Sequence, residues 1–406
     1  MVDANPFRGL RYAAPLDARV YAPPYDIIDA EQRGQLLARS AHNIAHLDVG
    51  PTPPDPAWYA QAAGTLCDWL AQGVLRRDLK PAFYGYRQAF TWTGCRYIRT
   101  GFFARVRLAP WGKDIHRHEL TRNQPKADRL QLMRALDMQT SPVFGLLDSD
   151  GVHAAPLLER SLSASTALVQ FADDDGVEHH LWAISDPNEI AELRRAVASS
   201  NVVIADGHHR YETSLALSIE RRAAHGPSPA DDVLMCLVPR DDPGLLILPT
   251  HRVLHTDAMP HEALLAALHR RFIVAETDLP LERAIAGCPQ TLGLRLRGAS
   301  YILRALPDSE GAEVLDVALL QRCLLEPILG ITPAQVAAGD LISYTVDAQR
   351  ACAEVDGGKA ALAVILNPTP LDVVWQTALK GEVMPQKSTF FHPKLLTGLV
   401  MNPLCD

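Results

Sequence analysis

Five consecutive residues, Asp206-Gly207-His208-His209-Arg210, carry more chemistry than a turn ordinarily needs. A glycine lets backbone approach a ligand closely, an arginine offers a planar fork to phosphate oxygens, and histidines donate, accept or titrate near neutral pH. The apolar β-branched run Val202-Val203-Ile204-Ala205 precedes this turn, and apolar residues at helical spacing, Leu215, Ala216 and Ile219, follow it. Strand, turn and helix leave unpartnered amides and the positive end of a helix dipole at the turn, where an anion, most often a phosphate, is favoured. Gly207, His208, His209 and Arg210 are therefore the expected phosphate or nucleotide contacts, with Asp206 and His209 as candidates for handling a proton. The plainer alternative is that Asp206 caps the helix and the histidines simply bond to their neighbours.

A second loop, Met384-Pro385-Gln386-Lys387-Ser388-Thr389, places one cation beside two hydroxyls ahead of the strand-like Phe390-Phe391 and His392-Pro393-Lys394. Lys387, Ser388 and Thr389 are candidates for an anion nest, although the glycines of a Walker A loop are missing. Two such loops closing on one phosphate ligand would make a site; a surface loop is the alternative. Between residues 115 and 121, His116 and His118 would share one face of an extended segment, a spacing that suits a metal. No third ligand is evident, so no metal is assigned; His118 becomes a polar cleft residue and Glu119 a candidate general base. Lys126 and Arg129 open the next helix at its cation-averse end and so are candidates to face an anion, with an exposed ion-pair network as the alternative. Near the start, Ala22-Pro23-Pro24-Tyr25-Asp26 is a rigid loop presenting Tyr25 and Asp26, either to a substrate or to the packing around it.

The elements that must position these residues read as mixed α and β. A helix capped by Asp55 presents Trp58, Tyr59, Ala62, Leu66, Trp69 and Leu70 on one face and ends at Gly73. Residues 83–92 and 97–108 form a hairpin through Thr93-Gly94, a helix covers 126–138, and strands follow at 142–147, 167–171 and 179–184 around a polar stretch at 148–151. A helix capped by Asp186 leads into the central strand. Further strands are expected at 233–238, 245–248, 291–297 and 301–306, with helices at 260–271 and 314–329. The pattern breaks best near residue 185, giving an N-terminal α+β domain over 1–185 and a second domain over 186–406 that holds both loops.

With 406 residues, 48% of them hydrophobic and 21% charged, the chain can build two or three packed domains. A net charge of −8 disfavours nucleic acid as the main partner, since that affinity rests on clustered Lys and Arg. Seven scattered cysteines without a CxxC pair suggest neither a disulfide framework nor a cysteine zinc site. No apolar run reaches membrane-spanning length and no signal peptide opens the sequence, so a cytoplasmic chain without a membrane partner is expected; a homo-oligomer is compatible with all of this.

The run Asp206 to Arg210 resembles the phosphate-binding box of the ParB/sulfiredoxin-like superfamily, which includes ParB nucleotide switches, sulfiredoxin and free-serine kinases. More of the chain resembles a bacterial and archaeal family of unknown function, domain of unknown function 1015, often labelled ParB-like. The matching marks are Ala22 to Ile28, His118-Glu119 with Pro125 to Leu130, Ser141 to Leu146, Ala205 to Tyr211, and Gly381 to Phe391. The resemblance implies a ParB/sulfiredoxin-like core with a mixed sheet, plus an additional N-terminal α+β domain. It also implies ATP or ADP with magnesium, and a phosphotransferase for a small hydroxyl-bearing metabolite, most like a free-serine kinase. Lys387 with Ser388 or Thr389 would contact the transferred phosphate, Glu119 or Asp206 would take the hydroxyl proton, and Tyr25, Asp26, His118, Lys126 and Arg129 would line the acceptor side. Two alternatives stay open: a phosphatase acting on a phosphoserine-like ester, and a nucleotide-binding DNA-partitioning protein. In the superfamily the box lies in a small compact domain, whereas here it sits mid-chain between long flanks, which leaves the acceptor open.

Overall fold

The computed structural model describes residues 1–13, 18–119, 123–148, 154–256, 259–306, 315–339 and 341–405. Leu120, Thr121, the turn residues 149–151 and Val314, all named in the sequence expectations, lie outside them, as does the side chain of Pro125. The fold is mixed α and β, and it divides into two compact units. The first comprises residues 1–246, 378–381 and 393–406, and the second 247–377 and 382–392.

The first unit is built on a nine-stranded mixed sheet. Its strands are β1 (Ala4–Asn5), β2 (Phe83–Trp92), β3 (Cys95–Arg107), β4 (Ile115–His116), β5 (Val143–Leu147), β6 (Ala167–Ala172), β7 (Glu178–Ile184), β8 (Val202–Asp206) and β9 (Asp232–Pro239). They run in the order β4-β8-β5-β9-β3-β2-β7-β6, with β1 also on β3. Only β4 with β8 and β5 with β9 pair in parallel. The β2–β3 hairpin turns at Thr93 and Gly94, with φ of 47° and 83°, the two left-handed residues that match the twist of its strands. All five residues of β5 and all eight of β9 are buried, which is why they read as unbroken apolar runs rather than alternating ones.

Helices pack against this sheet. They are α1 (Ala30–Arg39), α2 (Pro56–Ala71), α3 (Asn123–Leu136), α4 (Ala154–Ala164), α5 (Pro187–Ala198) and α6 (His208–His225). Asp55 accepts from the Ala57 amide at 2.9 Å and Pro56 occupies the first turn of α2, as the sequence led us to expect. Trp58, Ala62, Leu66 and Trp69 are buried, but Leu70 is 45% exposed, because it lies a quarter-turn off the stripe they define. Asp29 caps α1, through a capping box with Gln32. On α6 the expected apolar face is displaced. Ala216 and Ile219 are exposed and Leu215 is half-buried, while Tyr211, Ser214, Leu217 and Ser218 face inward.

The sequence break at 185 falls between β7 and α5, within this first unit. Strands on both sides of it share one sheet, so no interface is exposed there.

The second unit holds a six-stranded antiparallel sheet of β10 (His251–Leu254), β11 (Phe272–Glu276), β12 (Thr291–Leu296), β13 (Ala299–Ala305), β14 (Ile342–Thr345) and β15 (Leu362–Ile365), in the order β11-β13-β12-β15-β10-β14. A helix expected over 314–329 is an α-turn, Asp316–Leu319, that widens into a π-helix, Leu320–Leu325, with buried Leu320, Cys323 and Leu324.

Candidate functional site

The turn at Asp206–Arg210 is a strand-to-helix junction. β8 ends at Asp206, Gly207 takes φ 89° at the N-cap of α6, and no side chain caps that end. A non-glycine residue would be strained in this left-handed conformation, and a Cβ would stand 2.9 Å from the Arg210 Cζ.

Asp206 is the centre of the electrostatics. Its Oδ2 accepts from Arg210 at 2.7 Å and its Oδ1 from the Lys394 Nζ at 3.0 Å. Burial pushes this carboxyl up, but Lys394 and Arg210 outweigh it and hold the group well below the usual carboxylate range. A carboxylate so firmly ionised is a poor proton acceptor, so the expectation that Asp206 serves as base gives way to a holding role. Arg210 also departs from expectation. It is 8% exposed, and its second η-nitrogen donates to the Pro142 carbonyl, so its fork is spent inside the protein rather than offered to a phosphate.

Lys394 is the residue that sequence reasoning passed over. Its only sequence signal is a lone cation after Pro393, 188 positions from its partner. Buried Arg99 donates to the Pro393 carbonyl and to Gln88, and Gln88 in turn donates to the Lys394 carbonyl at 3.1 Å. The main chain is thereby fixed on both sides of the ammonium group's stem.

His208 stacks edge-on against His118, with ring centroids 4.7 Å apart. Both are buried: His118 is fully enclosed and His208 is 6% exposed. Burial brings His118 down to about 4 and His208 well below the ordinary histidine value, the neighbouring His118 adding to the latter. Two neutral imidazoles therefore flank the turn at pH 7. The His208 Nε2 is buried without a hydrogen-bond partner among the described residues. His209 is half-buried at the same turn, and Glu119 is half-buried beside His118. His116 does not join them: its Nε2 lies 3.3 Å from the Asn201 Oδ1.

Below the turn, Arg210 shares a cavity of about 30 Å³ with Tyr25, Asp48, Arg129, Thr140 and Ser141. Asp26 and Tyr25 both act electrostatically on Arg210, and the Arg129 guanidinium lies 4.1 Å above the Tyr25 ring. Two of the acceptor-side candidates, Tyr25 and Arg129, thus line this cavity, and Asp48 joins them unforeseen, while Asp26 is exposed and does not line it. Lys126 does not face this cavity; it pairs with Glu212, which also meets Arg117 at 3.1 Å. That is the ion-pair alternative for Lys126.

The other loop belongs to the second unit. Lys387 is left-handed, at φ 55°, and its carbonyl accepts from Arg252 at 3.1 Å. The Ser388 hydroxyl donates to the Pro385 carbonyl, and the Ser388 carbonyl accepts from Thr369 at 2.7 Å. The loop thus spends the Ser388 hydroxyl on its own closure, where the sequence suggested a phosphate donor. Thr389 is half-buried after it.

Among the described residues no group of three or more His, Cys, Asp or Glu side chains is arranged to hold a metal ion, and no helix is long and apolar enough to cross a membrane. No curated protein matches this chain. A conserved hypothetical protein from Pyrococcus furiosus is similar at 13% identity, over 74% of this chain and 95% of its own, with a TM-score of 0.40. A free serine kinase in complex with AMP is similar at 12% identity, over 72% and 86%, with a TM-score of 0.39. SbnI from Staphylococcus aureus, truncated at its C-terminus, matches at 12% identity, over 74% and 87%, with a TM-score of 0.41. The family is shown by a match of its own over residues 4–322: this chain belongs to the proteins of unknown function grouped as DUF1015.

Proposed function

We propose that the first unit transfers a phosphoryl group from a nucleotide to the hydroxyl of a small metabolite, most like a free-serine kinase. The observation that carries this reading is the uncapped, Gly207-led start of α6 with the Lys394 ammonium 3.0 Å from Asp206 beside it. Phosphoryl transfer asks a protein mainly for positioning and for positive charge on the transferred group. The α6 amides and Lys394 supply both, while Asp206, itself bonded by Arg210, keeps Lys394 in place. The acceptor oxygen would bond to phosphorus as the bond to the nucleotide's leaving oxygen breaks. Its proton would pass to one of the groups at hand, Glu119, His209 or the neutral imidazole of His208. The anion-seeking donors of the turn fit nucleotide phosphates, and magnesium would enter already bound to those phosphates, neutralising charge on them.

The test is a thermal-shift series with ATP, ADP, AMP, inorganic phosphate and phosphoserine, with and without magnesium, on the wild type and on Lys394→Met. Stabilisation by a nucleotide, weakened about 10-fold or more in Lys394→Met, together with nucleotide consumption only when a hydroxyl acceptor is added, supports transfer. Phosphate release from phosphoserine without nucleotide would replace it with a phosphatase. DNA binding with a steep salt dependence and no nucleotide turnover would replace it with a partitioning protein.

A further inference from the structure

The second unit carries an edge whose chemistry fits a second copy of itself. Strand β11, Phe272–Glu276, ends the six-stranded sheet, and β13 is its one neighbour among the described residues. The ladder fixes which way its backbone groups point. The Thr277 amide donates to the Ser300 carbonyl at 2.9 Å, and the Leu306 amide donates to the Arg271 carbonyl at 3.0 Å. Successive residues of an antiparallel strand turn their backbone groups to opposite sides, so the odd-numbered residues face β13 while Phe272, Val274 and Glu276 turn N–H and C=O outward. Those outward groups have no backbone partner among the described residues.

An open edge invites pairing, and proteins ordinarily blunt it with short strands, bulges, prolines or charges. The other described edges follow that habit: β4 has two residues, β14 has four, and the β6 ladder slips between Leu181 and Trp182. β11 instead runs five residues in unbroken register, without a proline and without a charge before its last residue. Charge gathers at its two ends and changes sign between them. Arg270 and Arg271 precede the strand, Glu276 and Asp278 close it, and none of the four has an ion-pair partner among the described residues. An antiparallel copy would meet opposite charge at both ends, whereas a parallel copy would meet its own sign. Between them Ile273 is 55% exposed.

We propose that β11 pairs antiparallel with β11 of a second copy of this chain, about a two-fold axis at Val274. The backbone bonds of that register come from outward groups alone: Val274 faces Val274, Phe272 faces Glu276, and the sheet continues across the axis. Ile273 stands opposite Ala275 of the other copy and diagonal to its Ile273, which takes exposed apolar surface out of water. The Arg270-Arg271 end of each copy lies against the Glu276-Asp278 end of the other. Five residues a side make a contact well below the roughly 800 Å² per partner of a standard interface, so the dimer forms with an affinity on the order of micromolar. The inference uses the second unit alone and stands apart from the phosphotransfer reading.

The experiment is sedimentation velocity of the full chain across the micromolar range, at low and high salt, on the wild type and three variants. Val274→Pro removes the central outward N–H and leaves the β13 ladder its donors. An acidic variant, Arg270→Glu with Arg271→Glu, and a basic one, Glu276→Arg with Asp278→Arg, each set like charges together when paired with themselves. Expected are a wild-type dimer that salt weakens, association weaker by roughly 10-fold or more in each variant alone, and a dimer restored on mixing the acidic variant with the basic one. A wild type that stays monomeric throughout overturns the proposal, as does a dimer that Val274→Pro leaves intact, or a mixture that does not associate. If a variant does not fold, hydrogen exchange of the wild type decides in its place. Protection of the Phe272, Val274 and Glu276 amides should rise with protein concentration; exchange of these amides at one rate over the whole range overturns the pairing.

Discussion

His118 shows how a single buried side chain couples the site to the stability of its unit. Burial holds its imidazole at about 4, even though the Ile204 carbonyl and the Asp206 charge pull the other way. An unfolded histidine takes its proton near 6.5, so between 6.5 and 4 the unfolded chain binds a proton that the native one refuses. The stability from a neutral His118 is therefore whole above pH 6.5 and drains away as pH falls toward 4. Between pH 7 and 5 that amounts to about 2 kcal/mol. Urea unfolding at both values should show the loss in the wild type and a visibly smaller one in His118→Gln, with His208 and His251 accounting for what remains. An identical acid-side slope in the variant would mean His118 is not the group that titrates. Residue types made the strand, the turn and the helix legible, since β8 ends at Asp206 and α6 starts after Gly207. The sequence could not reveal which partners satisfy the turn's side chains. Arg210 reads as a phosphate fork until Pro142 and Asp206 are seen to occupy it.

At the scale of elements, the site depends on how α6 is aimed, and that is set at both its start and its buried face. Serines point inward where periodicity suggested Ala216 and Ile219, because each buried hydroxyl has an acceptor: Ser214 donates to the Arg210 carbonyl and Ser218 to Asp231, both at 2.8 Å. Hydropathy spacing is blind to polar groups that are buried because they are bonded, and small hydroxyls let the helix lie close to its neighbours. At the start, Gly207→Ala meets two costs. The left-handed conformation costs an L-residue about 1–2 kcal/mol, and the new Cβ meets the Arg210 guanidinium, which Pro142 and Asp206 keep from moving aside. Roughly 2 kcal/mol or more should be lost in denaturant unfolding, with a fall in nucleotide affinity beyond what the unfolded fraction explains. Gly207→Asn separates the causes: asparagine tolerates the conformation, so it should recover part of the loss if strain dominates and little if the clash does. A neutral Gly207→Ala would refute both.

Over the whole molecule, what sequence order hides is the return of the chain to its first unit. Pattern changes suggested a break near 185, yet the sheet runs past it to Pro239, and residues 393–406 come back to the same unit after the second has been built. The returning segment gives Lys394 to Asp206, a Thr397 hydroxyl to Ser141 at 2.6 Å, backbone bonds between Met401 and Leu10 at 2.8 and 2.9 Å, and the Asn402 amide to Gln139 at 3.0 Å. No local periodicity announces such contacts, because each is a single partner hundreds of residues away. Their loss is predictable all the same. A chain ending at His392 leaves Asp206 with one cation in place of two and takes the Pro393 carbonyl from buried Arg99, and removing one partner of a buried charge pair typically costs 3–5 kcal/mol. By hydrogen exchange, β8 and the start of α6 should lose protection in that chain, while β10, β12 and β15, whose ladders involve only strands of the second unit, should keep theirs. Undiminished protection of β8 would show that the first unit does not need the segment that carries Lys394, and the site assembled around Asp206 would then have to be sought without it.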